Sequence, residues 1–140
     1  MIMKNNIFYF SLILFLATGS GIALGQNFIG MNSTEIAGLM KTSNPQFKLD
    51  KSAVNHTFKY LKYVDKITEQ TALFFMTDND VCTYVRWMSD YSNLNDMIGM
   101  LNKKYRKNGA NSWSFVDKDE NYTVTLVEDE WYFTVSYRKD

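Results

Sequence analysis

The stretch 71–88 most constrains what this chain can fold into. It contains two runs rich in aromatic and β-branched residues, 72–76 and 81–88, separated by the Asp-Asn-Asp triplet at 78–80. Asn and Asp side chains hydrogen-bond to nearby backbone and tolerate positive φ, so the triplet suits a tight turn. The pattern predicts a β-hairpin, and a hairpin this apolar must belong to a larger sheet with at least one covered face.

The N-terminal region has the pattern of a secretory signal peptide. Lys4 is its only charge, the run 7–17 is apolar, and Ala23-Leu24-Gly25 fits a small-x-small cleavage site. A membrane-spanning helix needs about 20 apolar residues, which this run does not reach, although an uncleaved anchor is the competing interpretation. We therefore expect a signal peptide over residues 1–25, a single domain over 26–140, and a periplasmic or extracellular location without a stable membrane anchor after cleavage.

Composition excludes some partners and some means of stabilisation. The chain has 15 basic and 15 acidic residues, so its overall field does not attract nucleic acid or an anionic membrane. Cys82 is the lone cysteine, and no internal disulfide can form. Because aromatic residues make up 16% of the chain, we expect a core of large apolar side chains to hold the domain together.

Two helices are predicted. Asn32 is a good N-cap for the first, with Glu35 positioned to complete a capping box and the end expected near Thr42, shortly before a proline. The second begins at Ser92 or Asn93. Its apolar residues fall on one stripe: Leu94, Met97, Ile98, Leu101 and Tyr105. Basic residues at 103–107 match the negative end of the helix dipole, and the Asn-Gly at 108–109 is a typical stop.

Alternating patterns predict six strands, over 57–64, 72–76, 81–88, 112–116, 122–127 and 131–137. Both halves of the chain then have the same order of elements, a helix followed by three strands, which suggests an internal duplication of architecture. The predicted fold is α+β, with two helices packed on one face of a mainly antiparallel, about six-stranded sheet in the order α-βββ-α-βββ.

Alternation also sorts the strand residues onto two faces. The predicted core face has these residues: Val81, Thr83, Val85, Trp87, Trp113, Phe115, Tyr122, Val124, Leu126, Trp131, Phe133, Val135 and Tyr137. The predicted open face has these: Cys82, Tyr84, Arg86, Met88, Ser112, Ser114, Val116, Thr123, Thr125, Val127, Tyr132, Thr134 and Ser136.

The open face supplies the candidate binding residues, namely Tyr84, Arg86, Tyr132 and Thr134. Tyr and Arg contribute much of the binding energy at protein surfaces, through rigid apolar area and forked hydrogen-bond donors. The alternative is a plain solvated face, because Ser, Thr and Tyr also populate such faces for their β-propensity alone.

The sequence offers no convincing catalytic or metal site. A thiolate at Cys82 would need the single histidine, His56, or another cation nearby. One Cys and one His do not assemble a typical zinc site. The acidic stretches 78–80 and 117–121 lack calcium-loop spacing, and the carboxylates at 128–130 are consecutive turn residues. No catalytic residue, cofactor or metal is therefore predicted.

Gly30-Met31-Asn32, followed by Glu35 and Ile36, opens the first helix. This start is similar to the helix opening in outer-membrane-assembly lipoproteins of the SmpA/OmlA type and in β-lactamase-inhibitor-like domains. It departs from the lipoproteins because no cysteine is present for lipidation. The mature chain as a whole resembles small secreted proteins of gut-type and environmental bacteria. The similarity of the helix opening to the lipoproteins and inhibitor-like domains implies a non-enzymatic binding module, with no catalytic residues to carry over.

Three functions stay open on the sequence. The first is an exported, non-enzymatic module that binds a protein or cell-envelope component through the open face. The second is a small secreted hydrolase or lyase that uses carboxylates and Tyr in a cleft near residues 43–55. The third is a structural module that associates with itself.

Overall fold

The computed structural model describes residues 27–52 and 59–140. The predicted signal peptide, His56 and the start of the first predicted strand lie outside these ranges. The elements, in chain order, are α1 (Ser33–Ser43), β1 (Lys48–Leu49), β2 (Tyr60–Asp65), β3 (Gln70–Met76), β4 (Cys82–Ser89), a 3₁₀ turn (Tyr91–Asn93), α2 (Leu94–Lys104), β5 (Arg106–Gly109), β6 (Ser112–Asp117), β7 (Glu120–Glu128) and β8 (Phe133–Lys139). Neither helix of the described ranges is long and apolar enough to cross a membrane.

The strands form one antiparallel sheet in the order β1-β2-β3-β4-β8-β7-β6-β5. Each half of the chain contributes a helix followed by a four-stranded meander. The last strand of each half, β4 or β8, lies at the centre of the sheet, where the two pair with each other. The two halves are therefore related by the same order of elements and meet along matching strands.

The predicted α+β fold with about six strands is wrong. The fold is dominated by an eight-stranded antiparallel sheet that carries only two helices among the described residues. The two strands missed by the α-βββ-α-βββ order are the edges, β1 and β5. β1 has two residues, and β5 has the sequence Arg-Lys-Asn-Gly, which fits a helix end better than a strand. Both are held by backbone pairing with a neighbouring strand, which alternation within a sequence does not reveal.

The predicted start of α1 is confirmed. The Asn32 side chain accepts a hydrogen bond from the backbone N–H of Glu35 at 2.9 Å. The Glu35 carboxylate accepts one from the Asn32 backbone N–H, also at 2.9 Å. The capping box satisfies two of the otherwise unpaired donors at the helix start.

A single core lies between the helices and one face of the sheet. Ile36 and Met40 of α1, and Met97 and Leu101 of α2, belong to the same buried cluster as the inward side chains of the central strands. The largest fully buried side chains are Trp87, Trp113, Phe74 and Phe133. The Trp113 indole N–H also donates to Asn102 Oδ1 at 2.9 Å, which ties α2 to β6.

A β-bulge at Thr83 overturns part of the predicted face assignment. Phe75 pairs with Tyr84 and Met76 with Cys82, so Thr83 has no partner on β3. The extra residue reverses the alternation. As a result Cys82 is buried with the core, at 1% exposure, whereas Thr83 and Val81 are exposed.

The predicted last strand starts two residues too early. Trp131 and Tyr132 lie in the turn between β7 and β8, which is closed by a 2.9 Å hydrogen bond from Asp129 N–H to the Tyr132 carbonyl. Trp131 is 77% exposed and is not part of the core. Of the three tryptophans expected to be buried, Trp87 and Trp113 are buried and Trp131 is not.

Candidate binding face

The sheet face opposite the helices presents a row of aromatic side chains across three strands. Tyr60 of β2 pairs with Phe75 of β3, and Phe75 pairs with Tyr84 of β4. The Tyr60 and Phe75 ring centroids are 5.9 Å apart, and those of Phe75 and Tyr84 are 5.4 Å apart. All three side chains are half-buried. We call Tyr60, Phe75 and Tyr84 the aromatic row.

Two arginines extend this row toward the centre of the sheet. The Arg86 guanidinium lies 5.7 Å from the centre of the Tyr84 ring, a distance at which a cation is attracted to the ring face. Arg138 of β8 pairs directly with Tyr84. Both arginines are exposed, and neither forms a salt bridge with a carboxylate of the described residues.

The two halves of the open face differ in chemistry. Around the aromatic row, β2, β3 and β4 also present half-buried Val64, Leu73 and Met88. Strands β6, β7 and β8 instead present mainly hydroxyl groups, from Ser112, Ser114, Thr123, Thr125 and Ser136, together with the exposed side chains of Val116 and Val127. The face therefore has an apolar half and a hydroxyl half, with Arg86 and Arg138 at the boundary.

The predicted binding residues do not all lie together. Tyr84 and Arg86 are neighbours on this face, and the Arg86 Nη2 lies 3.5 Å from the Tyr84 hydroxyl, to which it donates. Thr134 pairs with Met88, about 14 Å along β4 from Tyr84 at roughly 3.4 Å per residue. Thr134 is only 9% exposed, and Tyr132 lies in the turn before β8. The structure thus brings together the first two predicted residues and separates the last two from them.

Sequence reasoning missed three members of this face, Tyr60, Phe75 and Arg138. Phe75 lies one residue after the buried Phe74, so alternation alone places it outward. Arg138 follows the last residue of the predicted strand 131–137, and β8 continues through it to Lys139. What the sequence could not show is that β4 pairs with β8, which sets Arg138 beside Tyr84.

The single thiol is unsuited to nucleophilic catalysis. Cys82 is buried, and burial raises the pKa of its thiol to about 11. The thiolate, which is the reactive form, is therefore scarce at neutral pH. His56, the predicted partner in a Cys-His pair, lies outside the described residues.

A cleft of about 790 Å³ lies beside β1 and β2, near the segment suggested for a hydrolase site. Its two carboxylates are already engaged. Asp50 lies 3.1 Å from the Lys62 ammonium and accepts from Ser52, and the Ser52 and Lys62 hydrogen bonds lower its pKa to about 2. Asp65 accepts from Thr68 and the Ile67 backbone, and although burial opposes the change these bonds hold its pKa below the usual value. Carboxylates with lowered pKa values are weak general bases and are not protonated to act as general acids at neutral pH.

A second groove, of about 1140 Å³, lies between α1 and the turn joining β6 and β7. Its apolar lining includes Ile29, Met31 and Leu39. At its rim, the Asn27 amide donates to the Asp117 carboxylate at 2.9 Å. No group of three or more potential metal ligands occurs anywhere in the described part of the chain.

Comparisons with protein-family models, with curated proteins and with solved structures found no match to this chain.

Proposed function

We propose that this protein is an exported, non-enzymatic module that binds a protein or a cell-envelope component through its open sheet face. The aromatic row together with Arg86 and Arg138 forms the centre of the binding surface. Export is proposed from the apolar run and the cleavage pattern at residues 1–25.

The observation that carries this proposal is the composition of the face. Tyr, Phe, Met and Arg are enriched at the centres of protein interfaces, whereas Lys, Glu, Asp and Ser are depleted there. The apolar half of the open face presents the first group of residue types on adjacent strands. A face that served only for solvation would not need three contacting aromatic rings and two arginines without carboxylate partners.

The surface is also rigid enough to serve as a preformed site. Its residues lie on β2, β3, β4 and β8, four consecutive strands of a continuous antiparallel sheet. The opposite sides of these strands form the buried core, which restricts their movement. Preorganisation of this kind lowers the entropy lost when a partner binds.

Site-specific photo-cross-linking in cells that export the protein tests this function. A benzophenone amino acid would replace Tyr84 in one variant and Lys41, on the exposed side of α1, in a control variant. We expect a discrete cross-linked adduct from position 84 and none from position 41. An equal adduct pattern from both positions, or none from position 84, would contradict the proposal.

A paired substitution then tests the residues themselves. Tyr84→Ala together with Arg86→Ala, in a protein carrying the cross-linker at Phe75, should abolish the adduct. Folding should persist, because an aromatic contact of this kind contributes only about 0.5–1.5 kcal/mol beyond area burial. Cooperative thermal unfolding of the variant would confirm that the fold is intact, and a persistent adduct would exclude these two residues from the surface.

A further inference from the structure

We infer that the open face recognises an acidic protein segment, one in which a carboxylate side chain lies beside an apolar one. In this arrangement Arg86 and Arg138 bind the carboxylate and the aromatic row receives the apolar side chain. The inference rests on the proposed function and specifies the chemistry of the partner.

The positions of the two arginines favour the binding of an anion between them. Tyr84 pairs with Arg138 and Arg86 pairs with Ser136, so the two arginines are diagonal neighbours on adjacent strands of one face. Diagonal neighbours lie about 7–8 Å apart, within reach for long side chains. Two like charges at this spacing repel each other, and the described residues supply no carboxylate in a salt bridge to either. A carboxylate bound between the guanidinium groups would remove the repulsion and accept charge-assisted hydrogen bonds from both.

The charge of the lysine on the same face, unlike those of the two arginines, is paired within the chain. Lys62 lies on the same face in β2 but is paired with Asp50 at 3.1 Å. Its charge is thus paired within the chain, whereas neither Arg86 nor Arg138 has a salt bridge to a carboxylate of the described residues. Arg86 and Arg138 therefore offer two positive charges to a partner where β4 meets β8, next to Tyr84.

The aromatic row favours a protein over a polysaccharide. Neighbouring rings are tilted by 54° between Tyr60 and Phe75 and by 56° between Phe75 and Tyr84. Rings tilted in this way do not share a plane on which consecutive sugar rings could stack. They form one continuous apolar strip, which suits the branched and aromatic side chains of a polypeptide.

A second copy of this chain is a poor occupant. A symmetric dimer joins the same patch from both copies, so its interface would contain two arginine pairs, neither of which has a salt bridge within its own chain. Their mutual repulsion in a partly desolvated interface opposes such a dimer. An acidic partner has the complementary charge.

Random copolymers provide defined probes for this inference, used with the protein as it is exported. Binding would be measured by fluorescence anisotropy with a glutamate–tyrosine copolymer, with polyglutamate, with a lysine–tyrosine copolymer and with dextran sulfate. We expect the glutamate–tyrosine copolymer to bind about ten-fold more tightly than each of the other three, since charge and apolar contact act together only there.

Reversing the charge of the two arginines tests whether the copolymer binds at this face. Arg86→Glu together with Arg138→Glu should weaken glutamate–tyrosine binding about ten-fold or more, the equivalent of losing one charge-assisted hydrogen bond. The control pair, Lys41→Glu with Lys118→Glu, makes the same change in net charge at exposed positions on α1 and the β6–β7 turn, and should leave binding unchanged. Thermal unfolding of both double variants would confirm that each is folded.

Several outcomes would overturn the inference. The first is that dextran sulfate binds as tightly as the glutamate–tyrosine copolymer. The second is that the glutamate–tyrosine copolymer does not bind. The third is that both double variants lose the same amount of affinity for it. The cross-linking experiment at position 84 separates this failure from failure of the proposed function. A position-84 adduct that survives Arg86→Glu with Arg138→Glu would show a binding face whose partner is not acidic.

Discussion

The two helices begin at asparagines that have different roles, and one substitution should therefore have opposite consequences at the two sites. Asn32 acts through its side-chain oxygen, which accepts from the Glu35 N–H at 2.9 Å. Asn93 makes no side-chain cap. Its Nδ2 instead donates to the Thr68 carbonyl at 3.1 Å and to Ser89 Oγ at 3.0 Å. Asparagine to aspartate keeps the acceptor and removes the donor, so it distinguishes these roles.

The magnitudes follow from the bonds retained or lost. Asn32→Asp retains the cap and gains about 0.3–1 kcal/mol from the helix dipole. Repulsion from the neighbouring carboxylates of Glu35 and Asp80, which bond at the same helix start, offsets this gain. The net change should lie within about 0.5 kcal/mol of zero. Asn93→Asp loses two hydrogen bonds, each with a net contribution of about 0.5–1.5 kcal/mol, so it should destabilise the protein by about 1–3 kcal/mol.

Urea unfolding at pH 7, monitored by the fluorescence of the buried Trp87 and Trp113, measures both changes. The midpoint for Asn32→Asp should match that of the unmodified protein, and the midpoint for Asn93→Asp should fall at an unchanged m-value. Loss of more than about 1 kcal/mol at Asn32 together with no loss at Asn93 would refute the assigned roles.

Three further predictions concern buried and exposed side chains. Cys82 should react with Ellman's reagent at pH 8 only after unfolding, because burial raises the pKa of its thiol to about 11, and rapid labelling of the folded protein would contradict this. Burial holds the pKa of Tyr137 well above the ordinary value of 10.0, so above pH 10 the folded state keeps a proton that the unfolded state loses. The free energy of unfolding should therefore fall as the pH rises above 10. The fall should be less steep in the Tyr137→Phe variant, which has no phenol group to titrate. Trp131→Ser should change the free energy of unfolding by no more than about 0.5 kcal/mol, because the Trp131 side chain is 77% exposed. Trp87→Ala should lower it by about 3–5 kcal/mol, because the Trp87 side chain is buried. Similar losses for the two variants in urea unfolding would contradict this contrast.

The open face was only partly accessible to sequence reasoning. Alternation along the strand placed Tyr84 and Arg86 outward, which the structure also does. It also grouped them with Tyr132 and Thr134, because residues on one face of a sheet are treated alike whatever their distance apart. Strand register decides which of them are neighbours, and register depends on contacts between residues far apart in the chain.

Local interactions account for the features that sequence reasoning predicted well. The capping box of α1, the apolar stripe of α2 and the turn at 78–80, where Asp80 has a φ of 60°, depend on residues within a few positions of one another. The buried Trp87 and Trp113 likewise follow from a two-residue period along a single strand. Each of these patterns is complete within one short segment.

Tertiary pairing decided the rest. Strands β1 and β5 have little strand character of their own and exist because a neighbouring strand offers unpaired backbone groups. The bulge at Thr83 arises where β3 and β4 pair, and it moves Cys82 into the core against the alternation of the sequence. The β4–β8 pairing sets Arg138 beside Tyr84 and thereby creates the proposed binding surface. Capping, turn formation and alternation depend on adjacent residues, whereas the choice of partner strand and the register of pairing depend on the free energy of the whole sheet.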